Sequence, residues 1–387
     1  MFKIQIIDKI AEAGIEALEK NGCEVGSSIR YPSGLLLRSS DLHQMEFPES
    51  LLAIARAGAG YNNIPIDRCT EEGIVVFNAP GANAQAVKEQ EICSLVMASR
   101  DILGSIDWVQ SIADRGEEIP ALVEKGKARF AGPELLGKTL GVVGLGAVGA
   151  LVANAGVDLN MRVLGYDPFL SVDAAWRLSR KVIHTENLED LFQQSDYISI
   201  NVPFNEETQN MFNRSSFARM KDGVRIINES RAEVVNDMDM TEALKSGKVA
   251  KYVTDFPNEV ILKAPNVIAM PHLGACTPES EDRCAEMAAN EMYDYLLNGN
   301  IRNSVNLPDI YLNRAGICRL CVIHRNVPRM ITRILDFISG QNINVEHMIN
   351  KNRGKYAVTI VDLGSPVYEE AINGIREMDE VVRVRII

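Results

Sequence analysis

The sequence predicts an α/β protein in which two doubly wound parallel sheets are followed by a smaller βαββαβ unit. Three observations carry that expectation. Short apolar runs alternate with helical stripes over residues 1–95 and again over 138–270, and such alternation builds parallel sheets covered by helices on both faces. A glycine-rich turn joins a strand-like run to a helix-like stripe inside the second alternation. Residues 315–387 then read strand, helix, strand, strand, helix, strand, the order of a ferredoxin-like sandwich.

Bulk composition narrows the function classes. The 387 residues are 46% hydrophobic and 24% charged, an ordinary globular balance for two or three domains. A net charge of −12 with no basic block argues against a nucleic-acid or anionic-membrane binder, while leaving room for one local anion pocket. No apolar run has membrane-spanning length, and residues 2–8 alternate like a strand, unlike a secretory signal. Seven scattered cysteines, an odd number, suggest reduced thiols and a cytoplasmic protein. Cys318 and Cys321 are spaced CxxC, but they lie in a strand-like run with no second pair to complete a zinc site. No metal is expected.

In chain order, residues 2–7 read as a strand and Ile10, Ala13 and Ala17 as a helical stripe, followed by strand-like runs at 34–37, 51–56 and 73–77. A helix-like segment, 89–103, leads to the second unit, whose strand-like runs are 140–143, 163–166, 197–201, 224–228, 251–254 and 267–270. Residues 278–297 read as a helix, and 298–309, rich in Asn, Gly and Pro, as a linker. The last unit places strands at 317–323, 344–350, 357–361 and 381–387 and helices at 328–340 and 366–377. Two helices cover one face of such a sheet. The other face must pair with a second copy or pack elsewhere.

The turn Gly144-Leu145-Gly146-Ala147-Val148-Gly149 carries the most information. It follows the run 140–143 and precedes the helical stripe Leu151, Val152, Ala155 and Leu159; about twenty residues on, a second run ends in Asp167. Gly144 permits the tight turn, Gly146 lets backbone approach a pyrophosphate, and Gly149 lets helix pack closely on strand. The helix N-terminus offers free N–H groups to phosphate. Asp167 can accept both ribose hydroxyls and would repel a 2′-phosphate, which favours NAD. Because strand, glycines, helix, strand and acid occur in order, dinucleotide binding is preferred to a chance glycine-rich turn.

Oxidising a hydroxy acid with a nicotinamide needs a cation for the carboxylate, a base for the hydroxyl proton and a group that tunes the base. Arg231, Glu259 and His272 follow strand-like runs of the second unit, where a doubly wound sheet places its ligands. Arg231 can hold a carboxylate bidentately. His272 can take a proton near neutral pH, and Glu259 can fix its tautomer. Singly, each has a plainer alternative: a surface cation, a satisfied core or capping histidine, one more acid in an acidic chain. Spacing alone leaves that choice open.

The motifs Arg56-Ala57-Gly58-Ala59-Gly60-Tyr61-Asn62-Asn63-Ile64, Asn78-Ala79-Pro80-Gly81-Ala82-Asn83, Gly144–Gly149 with Tyr166-Asp167-Pro168, Asn228-Glu229-Ser230-Arg231, Phe256-Pro257-Asn258-Glu259 and Pro271-His272-Leu273-Gly274-Ala275-Cys276-Thr277 occur in one order. In this the chain resembles the D-isomer-specific 2-hydroxyacid dehydrogenase family over essentially its whole length. It is most similar to the branch that acts on D-3-phosphoglycerate and carries a C-terminal ACT domain.

The resemblance implies a flavodoxin-like substrate-binding domain (1–95 and 284–310), a Rossmann NAD-binding domain (96–283) and an ACT regulatory or oligomerisation domain (315–387). It makes Arg231, Glu259 and His272 the catalytic arginine, orienting glutamate and acid/base histidine. It assigns NAD to Gly144, Gly146, Ala147, Val148, Asp167, Pro203, Thr208, Glu229, Asp255 and Gly274. Substrate falls to Arg38, Ser39, Ala59, Gly60 and Asn83, of which Arg38 and the Gly58–Gly60 backbone can meet a phosphate. An amino-acid effector, serine, falls to His324, Asn326 and Asn344.

The implied reaction is NAD-dependent oxidation of D-3-phosphoglycerate to 3-phosphohydroxypyruvate, the entry to serine biosynthesis, in a homodimer or homotetramer. Two alternatives stay open: the same chemistry on an unphosphorylated acid (glycerate/hydroxypyruvate or D-lactate), and a non-catalytic NAD(H)-sensing binding protein. The chain departs from the family at three places. Ala232 replaces the usual glycine after the arginine, where a positive φ would cost alanine about 1 kcal/mol. Thr254 falls where an aspartate usually ends the strand, with Asp255 one place later. Arg329 replaces a glycine of the effector turn.

Overall fold

A computed structural model describes residues 1–367 and 369–387. The chain forms two compact units, Met1–Asn83 with Pro278–Ile387, and Ala84–Thr277.

In the first unit, β1 (Lys3–Ile6), β2 (Glu24–Gly26), β3 (Gly34–Leu37), β4 (Ala53–Arg56) and β5 (Val75–Phe77) form a parallel sheet in the order β2-β1-β3-β4-β5. That is the flavodoxin-like order. Strands β3 to β5 are buried on both faces, which is why their sequences are continuous apolar runs rather than alternating ones. The helix Glu12–Lys20 packs against the helix Pro278–Asn298 over one face. The expected linker 298–309 is instead fixed to this unit. Ile301 and Leu307 are fully buried, and Asn306 accepts from Val76 N while donating to Thr70 Oγ1 and Ile74 O. Buried polar side chains that close hydrogen bonds look like linker composition in the sequence.

The same unit contains the C-terminal sheet. Strands β13 (Cys318–Arg325), β14 (Val345–Arg353), β15 (Tyr356–Leu363) and β16 (Val381–Ile386) run antiparallel in the order β14-β15-β13-β16, as the βαββαβ reading requires. The helices Met330–Ser339 and Glu369–Arg376 cover one face with Leu320, Val322 and Val361; of the expected helix 366–377, residue 368 lies outside the described residues. The opposite face packs elsewhere, not on open solvent: Cys321, Ile323, Val358 and Ile360 join one core with Met292, Tyr295, Leu296 and Ile301. Cys318 and Cys321 fall in these two different cores, because strand positions three apart point to opposite faces.

Polar contacts fasten this sheet. Arg319 and Asp362, both fully buried, pair through two bonds of 2.6 and 2.8 Å while Arg319 Nη1 donates to Asn298 O. Arg383 donates to Leu51 O and Glu72 O, and Arg385 to Tyr295 O and Leu296 O.

In the second unit, β6 (Thr139–Val143), β7 (Arg162–Tyr166), β8 (Ile183–His184), β9 (Tyr197–Ile200), β10 (Val224–Asn228), β11 (Val249–Thr254) and β12 (Val267–Ala269) form one parallel sheet in the order β12-β11-β10-β9-β6-β7-β8. The direction of winding reverses between β6 and β9, the place where such sheets bind ligands. The helices Ala84–Ser99 and Ala147–Asp158 pack together on one face, and Leu188–Gln194, Arg214–Arg219 and Asp237–Lys245 lie on the other. The expected helix 89–103 is two helices, Ala84–Ser99 and Ile102–Ser111, because Asp101 caps the second by accepting from Gly104 N.

Candidate functional site

The cofactor turn starts where β6 ends. Gly144 has φ +88°, and a Cβ there would lie 2.5 Å from Asn201 O. At Gly149 a Cβ would lie 1.9 Å from Gly144 O, so helix and strand meet at a distance only glycine allows. Gly146 differs, since a Cβ there would meet nothing within 4 Å. It caps the helix Ala147–Asp158 without any side-chain hydrogen bond to the first turn. The result is an open cradle of free N–H groups with the positive end of a helix behind it. Asp167, just past β7, closes one side: its carboxylate accepts from Leu145 N at 2.8 Å and Phe169 N at 2.9 Å. Pro203 and Thr208 share the turn after β9, where Thr208 Oγ1 donates to Pro203 O. These residues fit a dinucleotide: open space over Gly146, unspent donors and a fixed acid.

Beside this cradle stand the ends of β10, β11 and β12. Asn228, fully buried, shapes the turn after β10: its side chain accepts from Ser230 N and Oγ and donates to Arg231 O. Arg231 is extended at φ −150° and exposed, with Nη1 on Ser230 O. Ala232 begins a short 3-10 helix and is absent from the residues of positive φ, so the glycine-to-alanine departure costs no backbone strain. His272, also exposed, lies with its ring 4.9 Å from that of Phe256. Gly274 packs against Val87 and Gln90 of the helix Ala84–Ser99.

Two carboxylates follow β11 in the sequence, in different settings. Glu259 opens the helix Glu259–Leu262, and its largely exposed side chain holds Lys263 at 2.6 Å. Asp255, directly after Thr254, is buried, accepts from Gln90 Nε2 at 3.4 Å and leaves Oδ1 without a partner. Burial pushes its pKa up, although the nearby charges of His272 and Arg231 pull it back.

Behind Asp255 lie two buried acids whose chemistry the sequence hid. Glu229 accepts from Ser94 Oγ at 2.5 Å, and burial drives its pKa to about 7. Glu91 accepts from Ser199 Oγ, and burial together with the Glu229 charge pushes it well above the usual carboxylate range. Glu229 entered the reading as a cofactor contact; Glu91 did not enter at all. The available signal was Val87, Glu91, Ser94 and Ala98, an i, i+4, i+7, i+11 stripe whose members are all buried, with an acid at a core position.

The residues assigned to substrate lie in the other unit. Asp8 accepts from the N–H groups of Arg38, Ser39 and Ser40 at 2.6–2.7 Å. Burial would raise its pKa, but these bonds outweigh it and hold the carboxyl below its ordinary value. The Arg38 guanidinium pairs with Glu281 at 2.6 Å. Ala59 O accepts from Asn78, and Gly58 and Gly60 lie against the Arg56 guanidinium, where a Cβ on Gly58 would sit 2.7 Å from Nη1. Asn83 is half-buried beside Ala82, whose carbonyl accepts from Arg283.

In the C-terminal sheet, His324 is buried with Nδ1 on Arg325 O and Nε2 on Thr359 Oγ1. Asn326 reaches Gly354 O and Asn344 reaches Glu346. Arg329 caps the helix Met330–Ser339 at φ +70°, a conformation that suits glycine.

Residues 95–274 match the family model "D-isomer specific 2-hydroxyacid dehydrogenase, NAD binding domain". A D-3-phosphoglycerate dehydrogenase of Archaeoglobus fulgidus is 34% identical over 332 residues, 80% of this chain and 60% of that protein. D-3-phosphoglycerate dehydrogenase 1 of Saccharomyces cerevisiae is 27% identical over 403 residues, 94% of this chain and 82% of that protein. The chain thus spans about 60% of the length of the archaeal relative. Among solved structures, NAD+-bound 3-phosphoglycerate dehydrogenase of Entamoeba histolytica is similar at a TM-score of 0.59 and 25% identity, covering 79% of this chain and 98% of that one. No helix among the described residues is long and apolar enough to cross a membrane. With its glycine cradle and its strand-end arginine and histidine, the segment 95–274 is a D-isomer specific 2-hydroxyacid dehydrogenase NAD-binding domain, and the chain around it is similar to D-3-phosphoglycerate dehydrogenases.

Proposed function

We propose that the protein oxidises D-3-phosphoglycerate to 3-phosphohydroxypyruvate with NAD, the entry to serine biosynthesis. The observation that carries the reading is one sheet edge: the open turn at Gly146 together with Arg231, Asp255 and His272 at the ends of β10 to β12. The chemistry that NAD supplies when bound is acceptance of a hydride. Arg231 holds the substrate carboxylate through its planar fork and polarises the neighbouring carbon. His272 takes the hydroxyl proton as C2 is oxidised. Two carboxylates are assigned to stabilise the imidazolium. Asp255 already interacts with His272, and Glu259 turns to it on release of Lys263.

Phosphate is assigned to Arg38, Ser39 and the loop at Ala59 and Gly60, with Asn83 beside it. Arg38 must exchange Glu281 for the phosphate. That ion pair is also the observation favouring the second reading, an unphosphorylated acid such as glycerate or D-lactate, which has no need of Arg38. Serine is assigned to the turn holding Asn326, with Asn344 supplied by a second copy and His324 buried behind. We extend the reading to a cytoplasmic homodimer or homotetramer. The test is NADH formation across a panel of 2-hydroxy acids, with and without serine, for the wild type and Arg38→Ala. The expected outcome is a preference for D-3-phosphoglycerate that Arg38→Ala removes by raising KM. Equal KM values in the two proteins, or a preference for an unphosphorylated acid, contradict the phosphate assignment.

A further inference from the structure

Three carboxyl groups converge beneath the site from three elements: Glu91 from the helix Ala84–Ser99, Glu229 from the end of β10 and Asp255 from the end of β11. All three are at least nine-tenths buried, and each leaves one oxygen, Glu91 Oε1, Glu229 Oε2 and Asp255 Oδ1, without a hydrogen-bond partner. Their remaining partners are neutral: Ser94, Ser199 and Gln90, with Asn201 donating to Ser199. Three adjacent buried anions held by serines and amides cannot all stay ionised, so protons must occupy part of the cluster. The charged groups that face it are Arg231, two residues after Glu229, and His272 past β12, both of which act on Asp255; Tyr252 of β11 lies beyond, on Asn228.

We propose that Glu229 is a positioning residue that holds a proton beside Asp255, with Glu91 holding a second, so that a single negative charge on Asp255 faces His272 and Arg231. This deepens the functional reading above and rests on it for the part His272 plays. Burial supports protons on both: with the Glu229 charge it pushes Glu91 well above the usual range, and Glu229 titrates at about 7. Below that pH the Glu91–Glu229 pair is neutral. Above it, Glu229 adds a second negative charge behind Asp255, which favours imidazolium at His272 and delays its action as a base. The pH dependence of oxidation therefore contains the Glu229 ionisation as well as that of His272.

Glu229→Gln keeps the shape and hydrogen bonds of the protonated acid and cannot ionise. In the cofactor-free wild type, infrared spectroscopy is expected to show a protonated-carboxyl band that titrates near pH 7 and disappears in Glu229→Gln. In turnover, the rising limb of kcat/KM for oxidation is expected to move to lower pH in Glu229→Gln by about half a pH unit or more. Glu91→Gln, neutral in either form, should leave that limb in place. A wild type without such a band overturns the proposal, and needs no variant to fold. Superimposable pH profiles for wild type and Glu229→Gln overturn it as well. A failure to oxidise any 2-hydroxy acid refutes the functional reading, and the infrared titration then decides by itself whether Glu229 holds a proton.

Discussion

Glu229 ties the stability of its unit to pH. Its folded-state pKa of about 7 lies above the ordinary 4.5, so the folded form prefers the proton. The stability this group contributes is complete below about pH 4.5 and is lost as the pH rises through about 7. The interval corresponds to about 3 kcal/mol. Both tryptophans, Trp108 and Trp176, belong to the unit Ala84–Thr277, so their fluorescence follows this unit alone. Urea unfolding read that way should show Glu229→Gln losing about 3 kcal/mol less stability than the wild type between those pH values. Equal slopes in both proteins contradict the buried-proton account. At the same scale Ala232 is no defect: the turn it enters is set by Asn228 and needs no left-handed residue.

At the scale of elements, the glycine turn divides into structural and functional positions. Gly149→Ala drives a Cβ into Gly144 O and should destabilise the unit by about 2–4 kcal/mol, measured by urea unfolding. Gly146→Ala meets no protein atom within 4 Å; it should leave unfolding unchanged but weaken NAD binding about tenfold or more in a fluorescence titration. Normal NAD affinity in Gly146→Ala would remove the cradle from its role. The C-terminal sheet depends on a different device. Asp362→Asn strips the charge from a fully buried partner of Arg319 and should cost about 3–5 kcal/mol, visible as a lowered Tm of the unit that contains it. A change below about 1 kcal/mol would mean that the pair adds no more than a surface ion pair.

For the whole molecule, what was legible in the sequence was whatever follows from period and order. The runs 140–143 and 163–166 became β6 and β7, and βαββαβ order became the sheet β14-β15-β13-β16. The tight turn at Gly144 and the close helix–strand approach at Gly149 appeared as their spacing implied. What stayed hidden depends on distant partners. Residues 298–309 read as linker because Asn and Ser give no sign that they will satisfy β5 from inside a core. Glu91 read as one acid among many because an acid and a serine interrupt the apolar period of the buried stripe Val87, Glu91, Ser94 and Ala98. Glu259 read as the group that tunes His272 and Asp255 as a cofactor contact, and only folding buries Asp255 and leaves Glu259 on Lys263.

The decisive comparison is the initial rate of NADH formation from NAD and D-3-phosphoglycerate by the wild type and by His272→Ala, with NAD affinity measured alongside. Turnover by the wild type, an alanine variant slower by about 10²–10⁴-fold and equal NAD affinity in both are the predicted results. A variant that forms NADH at close to the wild-type rate would contradict the assignment of His272 as the base, and a wild type that forms none would contradict the reaction itself.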